Sequence, residues 1–209
     1  MNGRVIRRFC AILFLGLVFW LFPAFHIVRI KSGPTERPAT FNAAAFASDF
    51  WQKTLSPACG HAPQLADLLR LLNRDPAGAR KQFGHSPGLG STTLFLARSS
   101  GRVAGVDKEE IRVEAESVPN TKIALMTGLI FGNALRDATG LIDGSAFSNS
   151  QEFNEISTEL NRLVETQVLP GLREHAAAGK EIRFAGCFEL EDGPLPEVIQ
   201  IVPIKVEWP

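Results

Sequence analysis

Between Gly132 and Gln151 the chain gathers Asn133, Arg136, Asp137, Asp143, Asn149 and Gln151 in a polar run punctuated by glycines. Side chains of these types can surround an anion or a polar small molecule. A guanidinium such as Arg136 forks onto a carboxylate, a phosphate or a pair of hydroxyls, and a neighbouring carboxylate such as Asp137 orients it or accepts hydroxyl protons. A helix beginning just after the run would turn its positive end toward the same place. Arg136, Asp137, Asn149, Gln151 and Asn133 are therefore the expected ligand-binding residues. The plainer reading of Arg136 and Asp137 is that they pair with each other or with backbone and pin the loop, since polar pairs are often structural.

Catalytic chemistry finds little support. Gly84, Ser86 and Gly88 match the G-x-S-x-G pattern of serine hydrolases, but a nucleophile elbow needs a strand before it and a helix after it. Here a helix ends and strands follow. Pro87 also lacks the amide that an oxyanion hole would take from the residue after the serine. Asp137 and Asp143 could act as an acid and base pair, yet both lie in a turn-rich stretch where aspartate is common for conformational reasons. His26, His61, His85 and His175 show no metal-ligand spacing with one another or with the cysteines, so no metal and no cofactor is expected. Cys10 falls in an apolar segment, Cys59 in a loop and Cys187 on the polar side of a strand; the last two are read as free thiols, with a disulfide between them, which an exported domain permits, as the alternative. Lysine plus arginine and aspartate plus glutamate both number 22, leaving no basic excess for a nucleic-acid backbone. The chain is read as non-enzymatic, with a hydrolase as the weaker alternative.

The polar run must be held by the elements around it. After it, Phe153, Ile156, Leu160, Leu163, Val164 and Val168 recur at helical spacing and mark a buried stripe, with Glu152, Glu155, Glu159 and Arg162 opposite. Asn149 is the expected N-cap, with Glu152 at the third helical position as in a capping box. Pro170 and Gly171 are the expected stop. Before the run the period is two. Strands are predicted at Thr92 to Arg98, Arg102 to Val106, Glu110 to Glu116 and Lys122 to Thr127, with turns at Ser99–Gly101, Asp107–Glu109 and Pro119–Asn120. Two more follow, from Ile182 to Leu190 and from Val198 to Glu207, the latter interrupted by Pro203 at an edge or a bulge.

Upstream, Asn42 to Leu55 reads as a helix broken by Ser56, Pro57 and Gly60. Pro63 opens a second helix that turns Leu65, Leu68, Leu69 and Leu72 inward, and Asp75 with Pro76 caps a short third one ending at Gly84. The expected fold is α+β: helices packed on a small antiparallel, OB-like barrel of about six strands, with a long helix inserted between the strand groups. A two-layer sandwich of sheet and helices is the alternative.

The N-terminus adds a further expectation. Arg4, Arg7 and Arg8 precede an uncharged apolar run from Phe9 to Val28, long enough to cross a hydrocarbon core of about 30 Å. The arginines should stay cytoplasmic, and the bulky residues around Pro23, Ala24 and Phe25 suit no cleavage site, so an uncleaved signal anchor is predicted. Arg29 and Lys31 weaken the charge asymmetry. Residues 1–30 would be the transmembrane anchor, 31–40 a proline-rich linker, and 41–209 a domain in the periplasm, single-pass in the inner membrane.

In this order the segments FHIVRI, DFWQKTLSP, NRDPAGARKQFG, LFLARSSGRVAGVD, GNALRDA, SAFSNSQEFNEISTELN and KEIRFAGCFEL resemble an uncharacterised bacterial family of predicted periplasmic lipoproteins. Members are often encoded beside ABC transporters for ribose- or xylose-like sugars. The resemblance spans nearly the whole chain and is most specific at 132–137 and 147–161. It implies an exported accessory protein linked with sugar uptake, and no assigned activity. Phe25 and His26 stand where the lipobox cysteine of the family is expected, so no residue there can be acylated, and the Phe9–Val28 segment would serve as the anchor instead. The partners implied are the inner membrane through 9–28, a sugar ABC transporter component or a small polar ligand, and no nucleic acid. A structural protein touching a permease through the leucine-rich helices is the alternative.

Overall fold

The computed structural model describes residues 41–88, 90–115 and 121–209. Five long strands close into a barrel: β2 (Thr93–Val106), β3 (Glu110–Ala115), β4 (Lys122–Met126), β5 (Glu181–Leu190) and β6 (Val198–Glu207). A two-residue strand, β1 (Gly84–His85), adds to the edge of β2 at Phe95 and Leu94. The order is β2-β3-β4-β6-β5, with β5 returning to β2. All these pairs are antiparallel except β4 with β6, which run parallel from Lys122/Val198 to Leu125/Ile201. The expected wholly antiparallel barrel is corrected on this point. The helical excursion between β4 and β5 reverses the strand direction that a hairpin would impose. Closure also excludes the two-layer sandwich.

One strand stands where two were expected. Ser99, Ser100 and Gly101 pair without interruption with Phe184, Arg183 and Ile182 of β5, so they do not turn the chain. Gly101 instead lets β3 approach: a Cβ there would lie 2.9 Å from the Ala115 Cα and closer still to the Glu114 carbonyl. The strand bends around the barrel, pairing along most of its length with β5 and at its far end with β3. The bulge foreseen at Pro203 is present. Gly186 lies opposite Pro203 and Ala185 opposite Lys205, leaving Ile204 as the extra residue.

Inside, Phe95 stacks on Phe188 with ring centroids 5.4 Å apart, among Val103, Ile111, Val113, Ile123, Leu125, Ile182, Ile199 and Ile201, all buried. The first helix, α1 (Ala43–Phe50), leads through a π turn into α2 (Ser56–His61), which packs on β2, β5 and β6, while α3 (Leu65–Arg74) and α4 (Pro76–Phe83) pack on β2. The excursion supplies α5 (Ala134–Asp137), α6 (Ser150–Leu163) and α7 (Leu169–His175), with α6 packed on α1. Leu65, Leu68, Leu69 and Leu72 are at most 4% exposed, so they are core and not available to a permease.

Both proline stops fail for the same reason. Ser56 and Pro57 do not end the first helix, because a π turn at Trp51–Leu55 shifts the hydrogen bonding so that the Ser56 amide reaches the Trp51 carbonyl, and α2 continues. A second π turn, Val164–Val168, carries α6 past Pro170 into α7, with the Leu169 amide on the Val164 carbonyl. In each case the proline falls in the first turn after the slip, where its missing N–H costs nothing. Cys59 is therefore helical, not in a loop. It is buried under the barrel's outer face, and Cys187, expected on a polar face, is fully buried there too. Both thiols are free. Burial pushes Cys59 up from 9.0 to about 11 and Cys187 well above the usual thiol range, so neither is a nucleophile at neutral pH.

The expected membrane-spanning helix is corrected as well. Among the described residues no helix is long and apolar enough to cross a membrane. The longest helical run, α6 continued through the π turn into α7, carries Glu152, Glu155, Glu159, Arg162, Glu165, Arg173 and Glu174, far too many charges for a hydrocarbon core. The segment 9–28, on which the transmembrane helix, the inner-membrane partner and the single-pass topology all rested, lies outside the described residues. The architecture shown is an α+β fold on an OB-like barrel of five strands plus one, without a spanning helix among those residues.

Gly186 tests the closure between β5 and β6. A Cβ there would meet the Ile201 Cγ2 at 2.6 Å and press on the Val202 carbonyl, so Gly186→Ala should cost more than about 2 kcal/mol in urea unfolding. Gly60→Ala, whose Cβ meets nothing within 4 Å, should stabilise slightly or change nothing.

Candidate functional site

Arg136 and Asp137 are consecutive, yet they form a two-pronged ion pair with their side chains 5% and 4% exposed. Nε donates to Oδ1 at 2.6 Å and Nη2 to Oδ2 at 2.8 Å. Nη1 donates to the Phe153 carbonyl at 3.1 Å and to the Asn154 Oδ1 at 3.4 Å. The guanidinium carbon also lies 3.6 Å from the centroid of the Phe153 ring, a cation–π contact strengthened by burial. Every guanidinium nitrogen is thus engaged within the protein. The single-turn helix α5 makes this possible: the Asn133 carbonyl takes the amides of both Arg136 and Asp137, and their side chains then turn together toward α6.

Phe153 extends the contact into an aromatic cluster. It packs on Phe147, which in turn meets Phe46 of α1 and Phe41, with centroids 5.4–5.5 Å apart. The pair, the excursion and two helices are therefore one packed unit. Ser157 bears the cost. Its hydroxyl is buried without a partner, and the carbonyl four residues back, which a mid-helix serine commonly uses, is Phe153, already taken by Arg136.

The remaining predicted residues are not drawn to this pair. Asn149 is the N-cap of α6, its Oδ1 accepting from the Glu152 amide at 2.9 Å, while Glu152 reaches back to the Ser148 amide at 3.2 Å. Gln151 is exposed and donates to Glu155. Asn133 is exposed and lines a cavity of about 420 Å³ with Met126, Phe131, Glu189 and Gln200. Asp143 turns onto its own loop, where the Ser145 amide and hydroxyl hold its carboxyl below the usual range. It does not face Asp137, so no acid and base pair forms. Ser86 lies 3.1 Å from the Thr93 hydroxyl. Among the described residues no group of three or more His, Cys, Asp and Glu side chains could hold a metal ion.

Residues 127–132 form a feature the sequence reading passed over. Helix side chains tie their backbone at three points. Arg173 donates to the Thr127 carbonyl, Glu165 accepts from the Ile130 amide at 3.0 Å, and Asn161 donates to the Gly132 carbonyl at 3.1 Å. The Glu109 carbonyl takes the Thr127 and Gly128 amides. Ile130 points inward at 4% exposure, whereas Leu129 and Phe131 are 68% and 74% exposed. The loop is inverted in polarity: its backbone is satisfied by the protein and its large apolar side chains face outward. Three consecutive apolar residues, Leu129, Ile130 and Phe131, set between Gly128 and Gly132 were the available signal.

Truncating one partner of a buried ion pair strands the other. Arg136→Ala should lose about 3–5 kcal/mol in denaturant unfolding, and Arg136→Met combined with Asp137→Leu should return most of it. Ser157→Ala should be neutral or gain up to about 1 kcal/mol, because it removes an unsatisfied buried hydroxyl.

No curated protein matches the chain. Among solved structures, the crystal structure of an OB-fold protein from Thermotoga maritima is similar, with a TM-score of 0.69 and 24% identity over 81% of this chain and 99% of that one. At that identity the likeness speaks for the fold alone. A family model described as "Predicted periplasmic lipoprotein (DUF2291)" matches residues 15–207, and the chain belongs to that family.

Proposed function

We propose that this protein is a non-enzymatic accessory component of sugar ABC transport that docks on a transporter subunit through the loop 127–132. The observation that carries this reading is the outward placement of Leu129 and Phe131 on a backbone tied down by Arg173, Glu165 and Asn161. Exposed apolar side chains on a held backbone lose little entropy on binding, and contiguous apolar surface of this kind marks protein contacts. Val106, 46% exposed, joins Leu129 along a concave surface with Asp107, Lys108 and Glu109, while Phe131 borders the cavity that Asn133 lines. In this reading Arg136 and Asp137 set the loop, Asn149 and Gln151 begin the helix that holds it, and Asn133 is the predicted residue left facing a binding surface. The link with sugar uptake comes from the family resemblance.

Leu129→Ser with Phe131→Ser tests the reading, since exposed positions of this kind usually shift stability by no more than about 0.5 kcal/mol. The double variant should fold as the parent does, while photo-cross-linking from position 131 in intact cells should capture a subunit of the sugar transporter, and pentose uptake should fall in the double variant. Undiminished uptake of pentoses and hexoses, with no transporter subunit captured, would overturn it.

A further inference from the structure

The outer face of β2, β5 and β6 carries a second cluster. Strand register places its members in two rows. Arg98 lies opposite Ala185 and Ala185 opposite Lys205; Ser100 lies opposite Arg183 and Arg183 opposite Glu207. Directly opposed residues share a face, and residues two apart along a strand share it too. The bulge at Ile204 is what returns Lys205 and Glu207 to this side. The small Ala185 forms the floor between two cations, and Cys59, Gly60 and Gln64 from the helical layer form the upper wall, enclosing a cavity of about 380 Å³.

Three cationic side chains face one carboxylate here, an excess of two positive charges in a chain that is neutral overall. Glu207 is held 2.8 Å from Lys205, and Arg98 spends its Nε on the Ala62 carbonyl, leaving its two terminal nitrogens toward the cavity without a hydrogen bond among the described residues. The Arg183 guanidinium makes no hydrogen bond or ion pair among the described residues. The neighbouring row is different: Arg102 is matched by Glu181, so the excess is confined to the cavity. Ser100 and Gln64 add neutral donors beside the cations.

We propose that this cavity binds a small dianion, a phosphate or dicarboxylate group read by the forks of Arg98 and Arg183 with Lys205 as a point charge. The volume lies at the lower end of small-molecule sites. The site is separate from the loop 127–132 and does not rest on the docking reading.

Calorimetric titration of the full-length chain at low ionic strength, with hydrogenphosphate, succinate and the monoanion acetate, tests it. At least one dianion should bind saturably with one site, and more weakly as salt is raised. Acetate should bind at least about tenfold more weakly. Phosphate alone would assign the site to phosphate esters, succinate alone to dicarboxylates, and both to a site that reads charge. Arg183→Gln alters an exposed side chain that makes no hydrogen bond or ion pair among the described residues, so it should keep the parental Tm and weaken the dianion by at least about tenfold. Glu207→Gln, which removes the competing carboxylate, should tighten it, a direction that partial unfolding cannot produce. Absence of saturable binding by either dianion, or equal affinity in the parent and Arg183→Gln, would overturn the proposal.

Discussion

The buried Arg136–Asp137 pair is the interaction on which the excursion between β4 and β5 depends. A desolvated ion pair contributes to structure only when every remaining donor is met, and here the Phe153 carbonyl, the Asn154 side chain and the Phe153 ring complete the set. That requirement fixes the single-turn helix α5 against α6 and fixes α6 in rotation about its own axis. Phe153 then hands the constraint to Phe147 and Phe46, and so to the first helix. The pair thereby orders three elements.

The barrel sets a second constraint. Five strands close only if one of them bends enough to pair on both sides, and β2 does so over 14 residues. Gly101 and Gly186 stand where neighbouring backbone comes too close for a Cβ, and the bulges at Val103–Gly105 and at Ile204 take up the curvature. The Ile204 bulge also has a chemical consequence, because it aligns Lys205 and Glu207 with Ala185 and Arg183. Curvature and charge placement share one cause.

Two surfaces result, of opposite character. At one, helix side chains satisfy the backbone of residues 127–132 and the loop's own apolar groups face outward, which suits contact with another protein. At the other, cations outnumber carboxylates over a small-residue floor, which suits a compact anion. Neither arrangement brings together a nucleophile with a base, and the two buried thiols are held protonated at neutral pH.

Much of this was legible in the residues alone, wherever a local rule decides the outcome. The period-two runs marked the strands, the leucine spacing marked α3, Asp75 and Asn149 announced their caps, and the segment order pointed to the family. Those features depend on neighbours a few positions away, within reach of hydrogen bonding and side-chain periodicity. What needed the folded chain was set by partners distant in sequence. Whether Ser99–Gly101 turns or continues was decided by β5 and β3 pairing on either side. Whether Pro57 and Pro170 stop a helix was decided by π turns that keep buried faces in contact with the core. That the Arg136 fork lies against Asp137 and Phe153 was decided by burial, and the long apolar run near the start has no counterpart among the described helices. Local sequence specifies the elements, but pairing energy and desolvation are properties of contacts between elements, and these exist only once the chain has closed.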